Sequence, residues 1–427
     1  MTPSPVQPAE GKPLRRSSSP LLPIFLIVAV DVLGFTIILP LLPFYSEHLG
    51  ASPSVIGGII STYALCQLVA GPILGQLSDR IGRRPVLLIS QLGTLIGFLI
   101  LAFSTQVWMV FLARAVDGIT AGNLSIAQAY ISDVTKPENR AKSFALIGIA
   151  FGLGFLIGPA ISGYLAQFAY QDPIFAACAL SFTSILCTFF LLPRREIVHQ
   201  QNEEAGATGP GGKRLSLLSW GQYGRFFANR ELALLLGQWL CFAFSFATFI
   251  SGFALFAERR FTYHGRPLGA REVGYIFAYT GFIGIIMQGG MVGRMVKWMG
   301  ERNVVRLGFF SSLVGYAATG FTRTIPQLLG VTAISSVGGG GLRPALTSLI
   351  TQKADRREQG VILGLTQSLT SIAQIIAPLI AGVLIDKDYL TVWAVWAGIL
   401  AGCAFLFERR AAVRTPLPDG QGSVTLG

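Results

Sequence analysis

Charged side chains are scarce in this sequence, 13% of its 427 residues, against roughly a quarter in ordinary soluble domains. So few charges cannot clothe a water-facing surface, and the 52% of hydrophobic residues would leave large sticky patches in water. Histidine is scarcer still. The three copies, His48, His199 and His264, all fall in connectors between apolar runs, and no carboxylate pair at DxxD spacing lies inside such a run. Transfer chemistry that needs a histidine nucleophile or a magnesium-binding pair within a membrane is therefore excluded. The five cysteines (Cys66, Cys178, Cys187, Cys241, Cys403) sit in apolar runs without a CxxC pair, which speaks against a disulfide framework and a thiolate metal centre. A GxxxxGK[ST] loop is absent as well, so no nucleotide drives the protein. The readings imply neither a metal nor a cofactor.

What is abundant is apolar sequence. Runs of the roughly 20 residues that a bilayer crossing needs occur at 21–45, 54–77, 86–105, 107–131, 142–166, 172–193, 232–256, 272–296, 303–321, 326–351, 360–385 and 389–408. The predicted fold class is an all-α integral membrane protein of twelve transmembrane helices in two pseudo-symmetric six-helix bundles. Residues 1–20, rich in Pro and Ser, read as a disordered cytosolic leader. Residues 21–193 form the first bundle, 194–231 a cytoplasmic linker, 232–408 the second bundle and 409–427 a cytosolic tail. Within the linker, Gln200 to Gly212 reads as flexible and Leu215 to Phe227 as a short amphipathic helix.

The net charge of +12 invites a nucleic-acid reading, but its placement rejects it. With the N-terminus inside, most Lys and Arg fall in inside segments, among them Arg80, Arg83, Arg84, Lys136, Arg140, Arg194, Arg195, Lys297 and Lys353. The outside segments hold Arg259, Arg260, Arg266, Arg271, Arg323 and Lys387. This asymmetry is the positive-inside pattern. It predicts a multi-pass protein of a bacterial cytoplasmic (inner) membrane with both termini in the cytoplasm. The partners expected are the bilayer and a small-molecule substrate, with a monomer as the unit.

The halves resemble each other. Gly75-Gln-Leu-Ser-Asp79-Arg80-Ile-Gly82 aligns with Gly293-Arg-Met-Val-Lys297-Trp298-Met-Gly300, and Gly158-Pro159 with Ala377-Pro378. Matches at nearly one offset argue duplication. Parallel halves holding a substrate between them near the midplane are a transporter architecture.

Ionisable residues inside apolar runs are expensive and face a protein interior or a wet cavity. Asp31 lies in the middle of the first run, where a carboxylate can bind and release a proton during a cycle. In the fourth run, Arg114 and Asp117 stand at i and i+3 on one helix face; Asp117 either adds a proton site or neutralises Arg114. The fifth run carries Gly148/Gly152 and Gly154/Gly158 pairs, then Pro159 and Gly163. Such small residues permit close helix packing, and Pro159 bends the helix. Arg343 follows four glycines. Two placements are open for it: the central cavity, where it would attract an anionic group, or the inner surface, reached by snorkelling. Gln67, Asn123, Gln238 and Gln367 are further polar candidates for a cavity wall. The phenylalanines of the seventh run, Phe242, Phe244, Phe246, Phe249 and Phe253, read as lipid-facing and packing surface.

The segment Gly75-Gln-Leu-Ser-Asp79-Arg80-Ile-Gly82-Arg83-Arg84 resembles the signature loop GxLxDRxGRRxxL of the major facilitator superfamily. Arg114-Ala-Val-Asp117-Gly118 is similar to that family's RxxQG element, with Asp in place of Gln. The run Gly154 to Gly163 resembles its antiporter motif, with Ser162 in place of a glycine. The first helix is similar to that of tetracycline-resistance and multidrug proton antiporters. The resemblance implies drug:proton antiport by alternating access, energised by the proton gradient, with Asp31, Arg114 and Asp117 in coupling. It implies that Asp79 secures contact between the halves in the outward-facing state. A proton-coupled importer of a metabolite or organic anion is the alternative.

Overall fold

The computed structural model describes residues 21–135, 140–192, 226–353 and 359–412. The expected leader, the flexible part of the linker, nearly all of its amphipathic helix, Lys136 and residues 413–427 of the tail lie outside them.

The helices follow the apolar runs. The first half contains α1 (Leu21–His48), α2 (Pro53–Ile81), α3 (Arg83–Ala102), α4 (Val107–Ile119), α5 (Asn123–Val134), α6 (Arg140–Leu165) and α7 (Gln171–Leu191). The second contains α8 (Arg230–Arg260), α9 (Ala270–Ile286), a π-helical turn at Met287–Met291, α10 (Val292–Met299), α11 (Glu301–Thr319), α12 (Ile325–Gln352), α13 (Gln359–Asp386) and α14 (Leu390–Ala412). A two-residue hairpin, Thr262–Tyr263 with Arg266–Pro267, joins α8 to α9. Among the described residues, eight helices are long and apolar enough to cross a membrane, and Leu390–Phe405 is a shorter apolar one. The segments 107–134, 301–319 and 325–352 complete the twelve expected rods but fall outside that group. The first is interrupted, the second opens with Glu301, Arg302 and Arg306, and the third is diluted by Gly, Ser and Thr.

The interruption corrects the continuous helix expected over 107–131. The chain leaves the helix at Thr120 and re-enters it at Asn123. A side chain satisfies backbone groups this frees: Ser90 Oγ donates to the Thr120 carbonyl and accepts from Gly122 N at 2.9 Å. Broken helices are tolerated at membrane depth where such partners exist.

Duplication is visible in the backbone. Gly82 between α2 and α3 has φ 102° and ψ 157°, and Gly300 between α10 and α11 has φ 80° and ψ 157°. Positive φ is a conformation glycine adopts without steric cost.

The hydrophobic core divides into three clusters. One, including Leu41, Phe44, Ile59, Phe253, Ile276 and Trp393, draws on both halves. A second lies within the first half around Val28, Leu87 and Ile131, and a third within the second half around Leu236, Phe309 and Leu346. The shared cluster marks the far end of the molecule, opposite the end from which α7 departs toward the linker. There α2 packs on α13 and α6 on α9. Ser61 Oγ donates to the Ile375 carbonyl at 2.6 Å, Arg259 pairs with Glu47 at 2.7 Å, and Ser54 donates to Asp386. Toward the linker end the halves part. A Cβ added at Gly71, Gly75 or Gly148 in the first half, or at Gly289, Gly293 or Gly364 in the second, would meet nothing within 4 Å.

Candidate functional site

Six helices of the first half converge on one polar cluster. Arg114 and Asp117, one turn apart on α4, form an ion pair at 3.2 Å with about 5% of either side chain exposed. The Arg114 guanidinium stands 5.9 Å from the ring centre of Tyr63 (α2) and 5.7 Å from that of Phe98 (α3). Its Nε and Nη2 are buried without hydrogen-bond partners. Asp117 lies beside Thr94, close to α3 because the backbone there carries Gly97; a Cβ at that position would stand 3.0 Å from Asp117 Cβ.

Asp31 on α1 approaches from the opposite side. Its carboxyl lies beside Ser184 (α7) and Asn123 (the first residue of α5), near enough to Asp117 for their charges to interact. The Oδ2 of Asp31 and the Oδ1 of Asn123 are both buried without a hydrogen-bond partner. Gln91 Nε2 donates to Ser184 Oγ at 2.7 Å. Gln67 Nε2 donates to the Tyr63 hydroxyl at 3.1 Å. The sequence-predicted residues Asp31, Gln67, Arg114, Asp117 and Asn123 therefore occupy one neighbourhood.

Tyr63, Thr94 and Ser184 were not singled out by the sequence. Only Tyr63 had a readable signal, being one helical turn before Gln67. The cluster contains two acids, one guanidinium and unpaired buried oxygens. Such a set can exchange a proton while keeping a single positive charge compensated.

The fifth-run motif flanks this cluster. Gly154 and Gly158 pack on α1: a Cβ on Gly154 would stand 2.5 Å from Val32 Cγ1, and Gly158 abuts Thr36. Thr36 Oγ1 donates to the Gly154 carbonyl at 2.9 Å. Pro159 and Gly163 face α9, where a Cβ on Gly274 would stand 2.7 Å from the Pro159 carbonyl oxygen. Gly148, expected in the packing face, is exposed with open space beside it.

The 75–84 segment, expected as a loop, is the end of α2 and the start of α3 joined at Gly82, and it is held within its own half. Arg83 pairs with Asp79 at 2.5 Å and with Asp133 of α5 at 2.8 Å, and donates to Ser78 Oγ at 2.6 Å. Gly82 supplies the turn. Arg84 lies over the Phe189 ring at 5.3 Å, while Arg80 is exposed. Asp79 makes an ion pair with Arg83 within its own half.

The second-half candidates do not gather. Gln238 is buried with Oε1 unpartnered, and Gln367 is exposed. Arg343 is exposed yet surrounded by protein. It projects about 120–180° around α12 from the exposed Ile334 and Val337, on the side where Gly339 has nothing within 4 Å. Phe249 and Phe253 are buried, Phe249 stacking on Tyr316 and Trp393, whereas Phe246 is exposed.

Comparison with known proteins agrees with this architecture. The Major Facilitator Superfamily model matches residues 24–325 and 289–425. Tetracycline resistance protein, class B, of Escherichia coli is 31% identical over 411 residues, covering 93% of this chain and 97% of that protein. Multidrug resistance protein 1 of Bacillus subtilis (strain 168) is 28% identical, covering 84% of this chain and 88% of the relative. The crystal structure of the nucleoside transporter NupG shares the fold, with TM-score 0.72 at 15% identity over 93% of this chain and 100% of that one. Family match, fold and apolar helices together mean that the chain is a multi-pass membrane transport protein, not an enzyme, and belongs to the Major Facilitator Superfamily.

Proposed function

We propose that this protein exports drugs or other small amphipathic organic compounds across a bacterial cytoplasmic membrane in exchange for protons. The observation that carries the reading is the Asp31 carboxyl, buried on one oxygen without a partner and set beside the Arg114–Asp117 pair. An unpaired buried acid is costly to keep, and reversible protonation gives it a function. The names of the tetracycline and multidrug resistance relatives support a drug-like substrate, and the bacterial origin of both supports the membrane.

The positive-inside pattern puts the linker end in the cytoplasm. The form described, parted at the linker end and closed at the far end, is then inward-facing. A proton taken up from outside by Asp31, with Arg114 and Asp117 as its electrostatic surround, favours return to this form. Substrate entering from the cytoplasm or inner leaflet promotes proton release inward, and the halves rock to the outward-facing form. There the 75–84 segment, with Asp79 at its middle, meets the second half. Arg343, Gln238 and Gln367 line the second-half wall of the substrate path. The working unit is a monomer and the energy source is the proton gradient alone.

Uptake of a panel of cationic, zwitterionic and anionic dyes into inverted vesicles, with and without an imposed pH gradient, tests the reading. Export by antiport requires accumulation only when the vesicle interior is acidic. Accumulation indifferent to the gradient would reduce the protein to a facilitator. Alkalinisation outside intact cells on adding a substrate would favour the importer instead.

A further inference from the structure

The far end of the molecule is closed by a second group of acids, remote from Asp31. Glu47 ends α1 in the first half and Glu258 precedes the end of α8 in the second. Arg259 Nη2 donates to Glu47 Oε1 at 2.7 Å, so the guanidinium of one half is engaged by the carboxylate of the other. The carboxyl of Glu258 lies within hydrogen-bonding reach of that same Glu47. Its Oε2 stands 3.9 Å from Arg259 Nη1, buried and without a hydrogen-bond partner.

Two carboxylates that hydrogen-bond one another need a proton between them, because an ionised carboxylate only accepts. With that proton in place, Glu258 donates to Glu47, and Glu47 also accepts from Arg259; the trio is neutral. When the proton leaves to the far-side water, two negative charges share one guanidinium, and like charges at this range repel.

Three further titratable groups lie nearby. Tyr170, just before α7, sits close enough that burial first, and then the charges of Glu258 and Glu47, push its phenol up. The His48 ring packs on Tyr170 at 5.4 Å. Arg260 is turned away, donating to the Thr322 carbonyl at 3.2 Å.

We propose that Glu47 and Glu258 form a second proton-binding site, one carboxyl from each half, which holds the far end shut while it carries a proton and lets it open once the proton is lost. The site rests on the orientation and alternating access proposed above, and it is independent of Asp31. Acid outside the cell would then close the outer entrance directly, the same direction of movement that protonation of the inner cluster drives.

Spin labels on cysteines placed at the exposed Thr105 and Lys387, one at the far end of either half, report the closure in vesicles once the five native cysteines are replaced. In the parent, a short interlabel distance should dominate in mildly acidic buffer and a longer one grow in alkaline buffer. Glu258→Gln, which donates a hydrogen bond without a titrating proton, should keep the short distance at both. Glu47→Gln should lose the pH response too, and with it the Arg259 bridge, so its longer distance persists in acid. Asp31→Asn separates the two sites: with the inner acid permanently neutral the short distance should be favoured more than in the parent, yet the distance should still lengthen in alkaline buffer. A parent distance that ignores pH overturns the proposal, as does a Glu258→Gln response equal to the parent's. A response abolished by Asp31→Asn but kept in Glu258→Gln would assign the pH sensitivity to the inner cluster instead.

Discussion

Gly163 and Gly274 meet backbone to backbone: a Cβ on Gly274 would stand 2.8 Å from the Cα of Gly163. The two residues belong to different halves, so the contact exists only while the far end is closed. Gly163 is the last residue of the antiporter-like motif, and Gly158, five residues earlier, abuts Thr36 on α1 within its own half. One helix thus uses its small residues for a permanent contact and for one that must break in every cycle. Without hydrophobic drive between helices in lipid, such close approach is the main source of association.

Gly274→Leu should therefore wedge the far end open. Overpacking of this kind costs about 1–3 kcal/mol, enough to shift a two-state balance about fivefold or more. A cysteine placed at Ser61, buried at the far-end seam, should react with an impermeant thiol reagent several-fold faster in the Gly274→Leu background than in the parent. Equal rates would mean that the seam does not depend on this contact.

The Arg114–Asp117 pair makes a different demand. Asp117→Ala leaves a guanidinium buried at about 5% exposure without its counter-charge, a change that costs about 3–5 kcal/mol. Thermal unfolding in detergent should show a large loss of stability. Replacing both residues with leucine should recover most of it but not gradient-driven transport. If the double variant transports like the parent, the pair is structural.

Much of this site was legible beforehand, for one reason: an ionisable residue in an apolar run has few places to go. Asp31, Arg114 and Asp117 stood out on that ground, and the i, i+3 spacing of the α4 pair corresponds to an ion pair in the structure. The duplication was readable because Gly82 and Gly300 both serve a turn that needs positive φ. What stayed hidden depends on partners distant in sequence. The break at Thr120 relies on Ser90, thirty residues away. Tyr63 joins the cluster through ring faces, which leave no trace in hydropathy. The Glu47–Glu258 neighbourhood exists only because two halves meet.

Tyr63→Phe removes the hydroxyl that accepts from Gln67 and keeps the ring beside Arg114. Loss of one such hydrogen bond costs about 1 kcal/mol, so folding should be nearly unaffected. The pH profile of gradient-driven uptake should nevertheless move, since the hydroxyl and its Gln67 partner border the neighbourhood of Asp31, Arg114 and Asp117. An unchanged profile at unchanged stability would place Tyr63 outside the coupling network.

Arg83 links Asp79 on its own loop to Asp133 on α5. For a partly exposed pair the coupling is about 1 kcal/mol or less. Asp133→Asn should therefore leave the protein folded while loosening the inward-facing loop, seen as faster proteolysis near 79–84. Arg83→Asp combined with Asp133→Arg should restore part of the protection. Protection that ignores both changes would show that the loop is held by other contacts.

The most direct test of proton coupling is Asp31→Asn, assayed in two ways on the same inverted vesicles. Uphill uptake driven by an acidic interior should collapse, while substrate-for-substrate exchange at equal pH, which moves no net proton, should continue at a rate comparable to the parent. Undiminished uphill uptake by Asp31→Asn would contradict the assignment outright.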